Sequence, residues 1–140
     1  PPGFELEAVG MIYLLFRRLY MLYTAPRAPH PLDNDVSLQR RMTAFIYEHY
    51  SEKITLEDIA RAGVVSPSKC TALFRKYTQK SPVNFLISYR LEMGSRLLTE
   101  TAKTVSEIAQ DCGFSQQSYF NRMFLREFGC TPREWRKRAA

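Results

Sequence analysis

The side chains best suited to recognition chemistry cluster in QQSYFNRMFLREF, residues 116–128. Arg122 carries a planar fork of donors that can bond the O6/N7 edge of guanine, and Gln117 and Asn121 carry amides that can pair in the same way with adenine. Ser118 and Gln116 add further donors and acceptors. On an ordinary solvated helix such residues would only face water, so their meaning depends on the elements that carry them.

No catalytic set competes with them. The only imidazoles are His30 and His49, and neither has a cysteine or carboxylate at metal-ligand spacing. Cys70, Cys112 and Cys130 are an odd number without a CxxC pair, which argues against a disulfide framework and against zinc, and fits a reducing cytoplasm. No phosphate loop or activated nucleophile is visible. Cys130, beside a helix start, is the nearest candidate, and that placement is too common to be informative. The expectation is a protein that is not an enzyme and that needs no cofactor and no metal.

The 140 residues bound the chain to one domain with an appended element. A formal charge of +6 permits a polyanionic partner without demanding one. No apolar run approaches the ~18 residues of a membrane span. The start at Pro1-Pro2, without methionine or signal pattern, is read as the beginning of a fragment of a cytoplasmic protein.

The elements that carry the polar cluster occur twice. Thr55/Thr104, Ile59/Ile108, Ala60/Ala109 and Ser66/Ser115 are each 49 residues apart, whereas Phe74/Phe124, Ser81/Thr131 and Pro82/Pro132 are 50 apart. One residue is therefore added between Ser115 and Phe124, at the start of the second helix of the pair. A small residue at Ala60 or Ala109, followed by a turn, lets two short helices cross closely. That is a helix-turn-helix, whose second helix fits a major groove ~12 Å wide.

Around the two copies the periodicity is helical throughout. Residues 36–50 place Leu38, Met42, Phe45 and Ile46 on one face. Thr55 with Asp58 forms a weak capping box, and Ser66-Pro67 and Ser81-Pro82 are helix starts. Cys70, Leu73, Phe74 and Tyr77 face inward in the first copy, as Phe120, Met123 and Phe124 do in the second. The connecting helix, to about Leu98, has Phe85, Leu86, Tyr89, Met93 and Leu97 as its buried stripe, with Gly94 a small penalty unless close packing needs it. The aromatic residues Phe128 and Trp135 are also core by spacing.

Residues 4–23 differ. Leu6, Val9, Ile12, Leu15, Leu19 and Leu22 lie on one side and Tyr13, Phe16, Tyr20 and Tyr23 on another. A helix apolar almost all round must be covered by something. We expect a dimerisation helix with Tyr13, Phe16, Leu19 and Tyr20 at its centre, or the last helix of a preceding domain. TAPRAPHPLDN then reads as a linker. The expected organisation is 1–23, linker 24–35, and an all-α domain at 36–140.

On LEDIA, SPSKCTALFRKYTQKSPVNFL, YRLEMGSRLL and above all VSEIAQDCGFSQQSYFNRMFLREFGCTPREWR, the chain resembles the DNA-binding domain of AraC-family bacterial transcription regulators over about residues 36–138. The resemblance implies seven helices, arranged as two helix-turn-helix subdomains joined by a long helix. It implies that both recognition helices enter successive major grooves of double-stranded DNA, ~34 Å apart. It further implies a homodimer, RNA polymerase as a candidate partner, and a small-molecule effector acting only through a preceding domain.

The expected base readers are Gln117, Ser118, Asn121 and Arg122 in the second helix, and Ser68, Lys69, Thr71 and Ala72 in the first. Ser66, Arg75, Lys76, Gln116 and Arg126 are expected on the DNA backbone. Arg90 and Arg96 are expected in structural ion pairs, and Lys137 and Arg138 in a solvated tail. Val64 stands where the second copy has Gly113 and Gln79 where it has Gly129, so the first turn is expected to differ. Cys70 replaces the larger leucine common in the family. The competing reading is an all-α protein-interaction module whose basic face binds nothing.

Overall fold

Three helices start at a hydroxyl residue followed by proline. Ser66, Ser81 and Thr131 hold extended backbone and accept the amide of the residue three positions on, each at 3.2 Å, while Pro67, Pro82 and Pro132 occupy the first turn. Thr55 and Thr104 cap two more helices, at 3.3 and 3.1 Å. The Asp58 carboxylate returns to the Thr55 N–H at 2.9 Å, completing the capping box. That bond holds the Asp58 carboxyl below its usual range.

The computed structural model describes the main chain of residues 4–24 and 31–140 and the side chains of 9–23 and 34–140. Among these it contains eight helices and no strand: α1 (Phe4–Thr24), α2 (Pro31–His49), α3 (Leu56–Ala62), α4 (Pro67–Thr78), α5 (Pro82–Glu100), α6 (Val105–Asp111), α7 (Gln117–Phe128) and α8 (Pro132–Ala139). The Leu6 side chain, His30 and linker residues 25–30 lie outside the described residues. The helix α2 begins at Pro31, inside the stretch expected to be linker, because proline is tolerated in a helix's first turn.

The chain divides into two units, Pro1–Asp33 and Asn34–Ala140. In the first, α1 exposes more than half of Ile12, Tyr13, Phe16, Leu19 and Tyr20. The second contains two cores. Met42, Ile46, Ile59, Ala60, Cys70, Leu73, Phe74 and Leu86 form one, and Leu91, Leu98, Val105, Ile108, Ala109, Cys112, Phe114, Phe120 and Phe124 the other.

The helix α5 contributes to both cores, as expected of a helix long enough to pack on two subdomains, but the residues it buries are not the stripe read from its periodicity. Of Phe85, Leu86, Tyr89, Met93 and Leu97 only Leu86 is buried; Pro82, Leu91, Gly94, Ser95 and Leu98 are the other buried residues of α5. Phe85 and Tyr89 border the first core, and Met93 and Leu97 the second. One stripe cannot serve two cores on different sides of a helix. Gly94 is a packing requirement: a Cβ there would stand 2.9 Å from Cε2 of the fully buried Phe120. Gly63 likewise accommodates Met42, whose Cγ would lie 2.8 Å from a Cβ, and it does not make the turn.

The expected difference between the two turns is absent. Val64 adopts φ 55° and Gly113 φ 92°, and the amides of Val65 and Phe114 bond the carbonyls of Ala60 and Ala109 at 3.1 and 2.9 Å. Gln79 (φ 59°) ends α4 as Gly129 (φ 75°) ends α7. Packing and the six-to-one hydrogen bond impose the left-handed residue whatever its side chain. Val64 bears that strain with 83% of its surface exposed, so it gains no burial in return.

Val64→Gly should therefore stabilise the chain. Relief of about 1–2 kcal/mol of left-handed strain exceeds the about 0.5–1 kcal/mol of added unfolded-state entropy. Urea unfolding should show the midpoint rising at unchanged slope. Gly94→Ala should lower stability by about 1–3 kcal/mol in the same assay, as overpacking against Phe120 does.

Candidate nucleic-acid interface

The helix α4 contains no carboxylate, and α7 has one, Glu127, exposed in its last turn beside Arg126, so the outward faces of both helices are net cationic. On α4, Ser66, Ser68, Lys69, Ala72, Arg75 and Lys76 are exposed and Thr71 is half-buried. The Ser66 hydroxyl caps the helix and keeps its own proton to donate. Lys69 Nζ lies 3.7 Å from Asp35 Oδ1 on α2, and Lys76 Nζ lies 5.3 Å from the Tyr77 ring. Lys69 is thus partly engaged within the protein before any ligand arrives, although an exposed pair at this distance is weak.

On α7, Gln116, Ser118, Arg122 and Arg126 are exposed. The added residue of the second copy is Ser115, because Gln116 occupies the N-cap of α7 as Ser66 does that of α4, although Gln116 makes no side-chain cap bond. Its amide faces outward, and the helix start keeps unsatisfied N–H groups that favour an anion. The Arg122 guanidinium sits 5.4 Å from the centroid of the Tyr119 ring, which orients its fork.

Gln117 and Asn121 depart from the outward placement expected of them. Both are half-buried and line a recess of about 270 Å³ with Val105, Thr131, Pro132 and Arg133. The Asn121 Oδ1 is enclosed and has no hydrogen-bond partner, at a cost of about 1–3 kcal/mol for a buried polar group. The start of α8 flanks this side of α7, and a helical wheel drawn for one helix cannot register that neighbour. Arg133, exposed beside the same recess, was not anticipated; its only sequence signal is its place after Thr131-Pro132.

The expected ion pairs of Arg90 and Arg96 divide. Arg96 pairs with Glu92 at 3.1 Å, whereas Arg90 donates to main-chain carbonyls, Nε to Tyr50 at 2.7 Å and Nη2 to Glu52 at 2.8 Å. Arg136, also unforeseen, donates to the carbonyls of Leu98, Thr101 and Lys103 at 2.9, 3.4 and 2.6 Å. Lys137 and Arg138 are exposed. Among the described residues no group of three His, Cys, Asp or Glu is arranged to hold a metal, and His49 instead meets Glu52 at 2.6 Å.

Residues 59–138 match the helix-turn-helix domain family. YdeC, an uncharacterised HTH-type transcriptional regulator of Bacillus subtilis strain 168, is 37% identical over 98 residues, 70% of this chain and 34% of that protein. The HTH-type transcriptional activator RhaS of Enterobacter sp. strain 638 is 28% identical over 133 residues, 95% of this chain and 48% of that protein. The chain thus spans between a third and a half of the curated relatives it matches.

Among solved structures, an AraC-type regulator from Chromobacterium violaceum superposes with TM-score 0.71 at 28% identity, covering 74% of this chain and 93% of that one. The DNA-binding domain of AdpA, solved in complex with a target DNA, gives 0.69 at 28% identity, covering 71% and 90%.

The three thiols are buried, and burial pushes Cys70 and Cys112 up to about 11. A thiol needs its anion to attack, so the folded chain should be inert to a disulfide reagent at neutral pH and should release three equivalents only in denaturant. Rapid reaction of one thiol in the native state would show that Cys130 is accessible and would return it to consideration as a nucleophile.

Proposed function

Because the chain belongs to the AraC-type family of helix-turn-helix transcription regulators, we propose that it reads double-stranded DNA sequence-specifically, with α4 and α7 entering successive major grooves on one face of the duplex. The observation that carries this is the duplicated turn. The same left-handed residue and the same six-to-one bond recur at Val64 and Gly113, and each turn presents a helix with basic residues on its outer face.

In this reading α7 supplies most base discrimination. Arg122 takes guanine, Gln117 and Ser118 read neighbouring edges, and Asn121 contributes through the part of its amide that reaches past α8. The helix α4 offers Ser68, Lys69, Thr71 and Ala72, whose mostly short side chains suit methyl and phosphate contacts. Ser66, Arg75, Lys76, Gln116 and Arg126 hold the backbone. The exposed apolar side chains of α1 support self-association through Tyr13, Phe16, Leu19 and Tyr20 in a homodimer. RNA polymerase is a candidate partner on the promoter, and an effector would act through a domain preceding Pro1 in a cytoplasmic regulator.

Sites recovered by the chain from a randomised duplex pool provide the probe. The chain should prefer them to scrambled duplexes, with an affinity that falls steeply with salt. Arg122→Ala should cost about 1–3 kcal/mol on the recovered site and relax specificity at one position, while Lys76→Ala should weaken all duplexes alike and reduce the salt slope by about 1. Equal binding to recovered and scrambled DNA would reject specific reading in favour of an adaptor with an idle basic face. Sedimentation at increasing concentration should show dimers that Phe16→Glu with Leu19→Glu abolishes, and an unchanging monomer in the parent chain would exclude the α1 interface.

A further inference from the structure

Resting on the two-groove reading, we infer that Arg90 is the positioning residue that sets the spacing and phase between the two recognition helices. It lies on α5, away from both cationic faces, and its fork closes a three-way junction. Nε and Nη2 hold the carbonyls of Tyr50 and Glu52, at the end of α2 and in the segment leading to α3, at 2.7 and 2.8 Å. The turn between α6 and α7 presses on the same point. A Cβ on Gly113 would stand 2.6 Å from the Tyr50 carbonyl, 2.9 Å from Arg90 Nε and 3.0 Å from Arg90 Cζ. The first motif, the connecting helix and the turn of the second motif therefore meet at one guanidinium.

Elsewhere the two motifs meet less closely. Between them Tyr47, Phe85, Tyr89, Glu127 and Phe128 line an open recess of about 370 Å³. Without the fork, the motifs would be related chiefly by α5 itself and by the aromatic side chains lining that recess. Long helices bend, and aromatic edges slide more readily than two charge-assisted hydrogen bonds set in one plane. Lysine at this position could keep the charge but could not bond both carbonyls from a fixed plane. The companion contact, Arg136 on the carbonyls of 98–103, fastens α8 to the far end of α5 and does not touch the first motif.

The geometry matters because DNA is helical. Inserting one base pair between two half-sites moves the second by ~3.4 Å and turns it by ~35°, so a rigid reader must reject it and a loosened one need not. The predicted consequence is specific to spacing. Arg90→Lys should leave affinity for either half-site alone unchanged, and should broaden the tolerance for half-site separation.

The test uses the whole chain and duplexes derived from its own recovered site: the intact site, the site with one base pair inserted or deleted at its centre, and versions with either half scrambled. The parent should lose about tenfold in affinity on each spacing change, in line with the cost of a mismatched contact. In Arg90→Lys the intact site should weaken and the spacing penalty shrink to about threefold or less, with both half-site affinities kept. A parent-like spacing profile in Arg90→Lys overturns the proposal. Loss of half-site binding along with helical signal in Arg90→Lys also overturns it, since the arginine would then hold the fold and not the phase. A parent that prefers its site but ignores spacing removes the two-groove reading, and the inference with it.

Discussion

The helix α5 carries apolar side chains on two sides, and each side completes a core that the adjacent motif leaves open. Helices as short as α3 and α6, 7 residues each, do not persist alone in water. They are helical because Ile59 and Ala60, or Ile108 and Ala109, are buried against residues of α5 and of the recognition helices. The recognition helices are held from the same inner side, by Phe74 in one motif and by Phe120 and Phe124 in the other. Their outer faces are thereby left to polar and basic residues.

This arrangement concentrates small-residue requirements where α5 is approached most closely. At Gly94 the limiting neighbour is an aromatic ring of α7, and at Gly113 it is a carbonyl of the first motif. The same crowding explains two arginines that carry no recognition role in the proposed function. Helix ends leave carbonyls without partners, and a guanidinium that reaches several of them satisfies the main chain while tying elements together. Burial lowers the proton affinity of Arg90, and the guanidinium still remains charged at any physiological pH.

The first motif also shows what tertiary packing tolerates. It keeps the geometry of the second with valine and glutamine at its two left-handed positions, although both side chains disfavour that backbone. A strained residue persists when its surroundings over-determine it. Here the surroundings are the Ala60 carbonyl, the cap at Ser66 and the buried Phe74 beyond. Divergence in the turn residues is therefore a poor guide to divergence in fold.

Local chemistry was legible in the chain itself. Hydroxyl-proline pairs set the helix starts, the period of apolar residues set the inward faces of α4 and α7, and two offsets in one repeat located an added residue close to the start of α7. All of these depend on neighbours within a few positions or on comparison of two similar segments, so sequence contains the needed information. Other features depend on what packs against a helix from elsewhere. Asn121 is drawn half inside by α8, the buried face of α5 is split between two cores, and Arg90 turns from an expected carboxylate to carbonyls some 40 residues away. Local pattern in the chain fixes which helices form and which faces are basic, whereas the phase between the two motifs comes from packing, because it is made by contacts between segments with no shared local pattern.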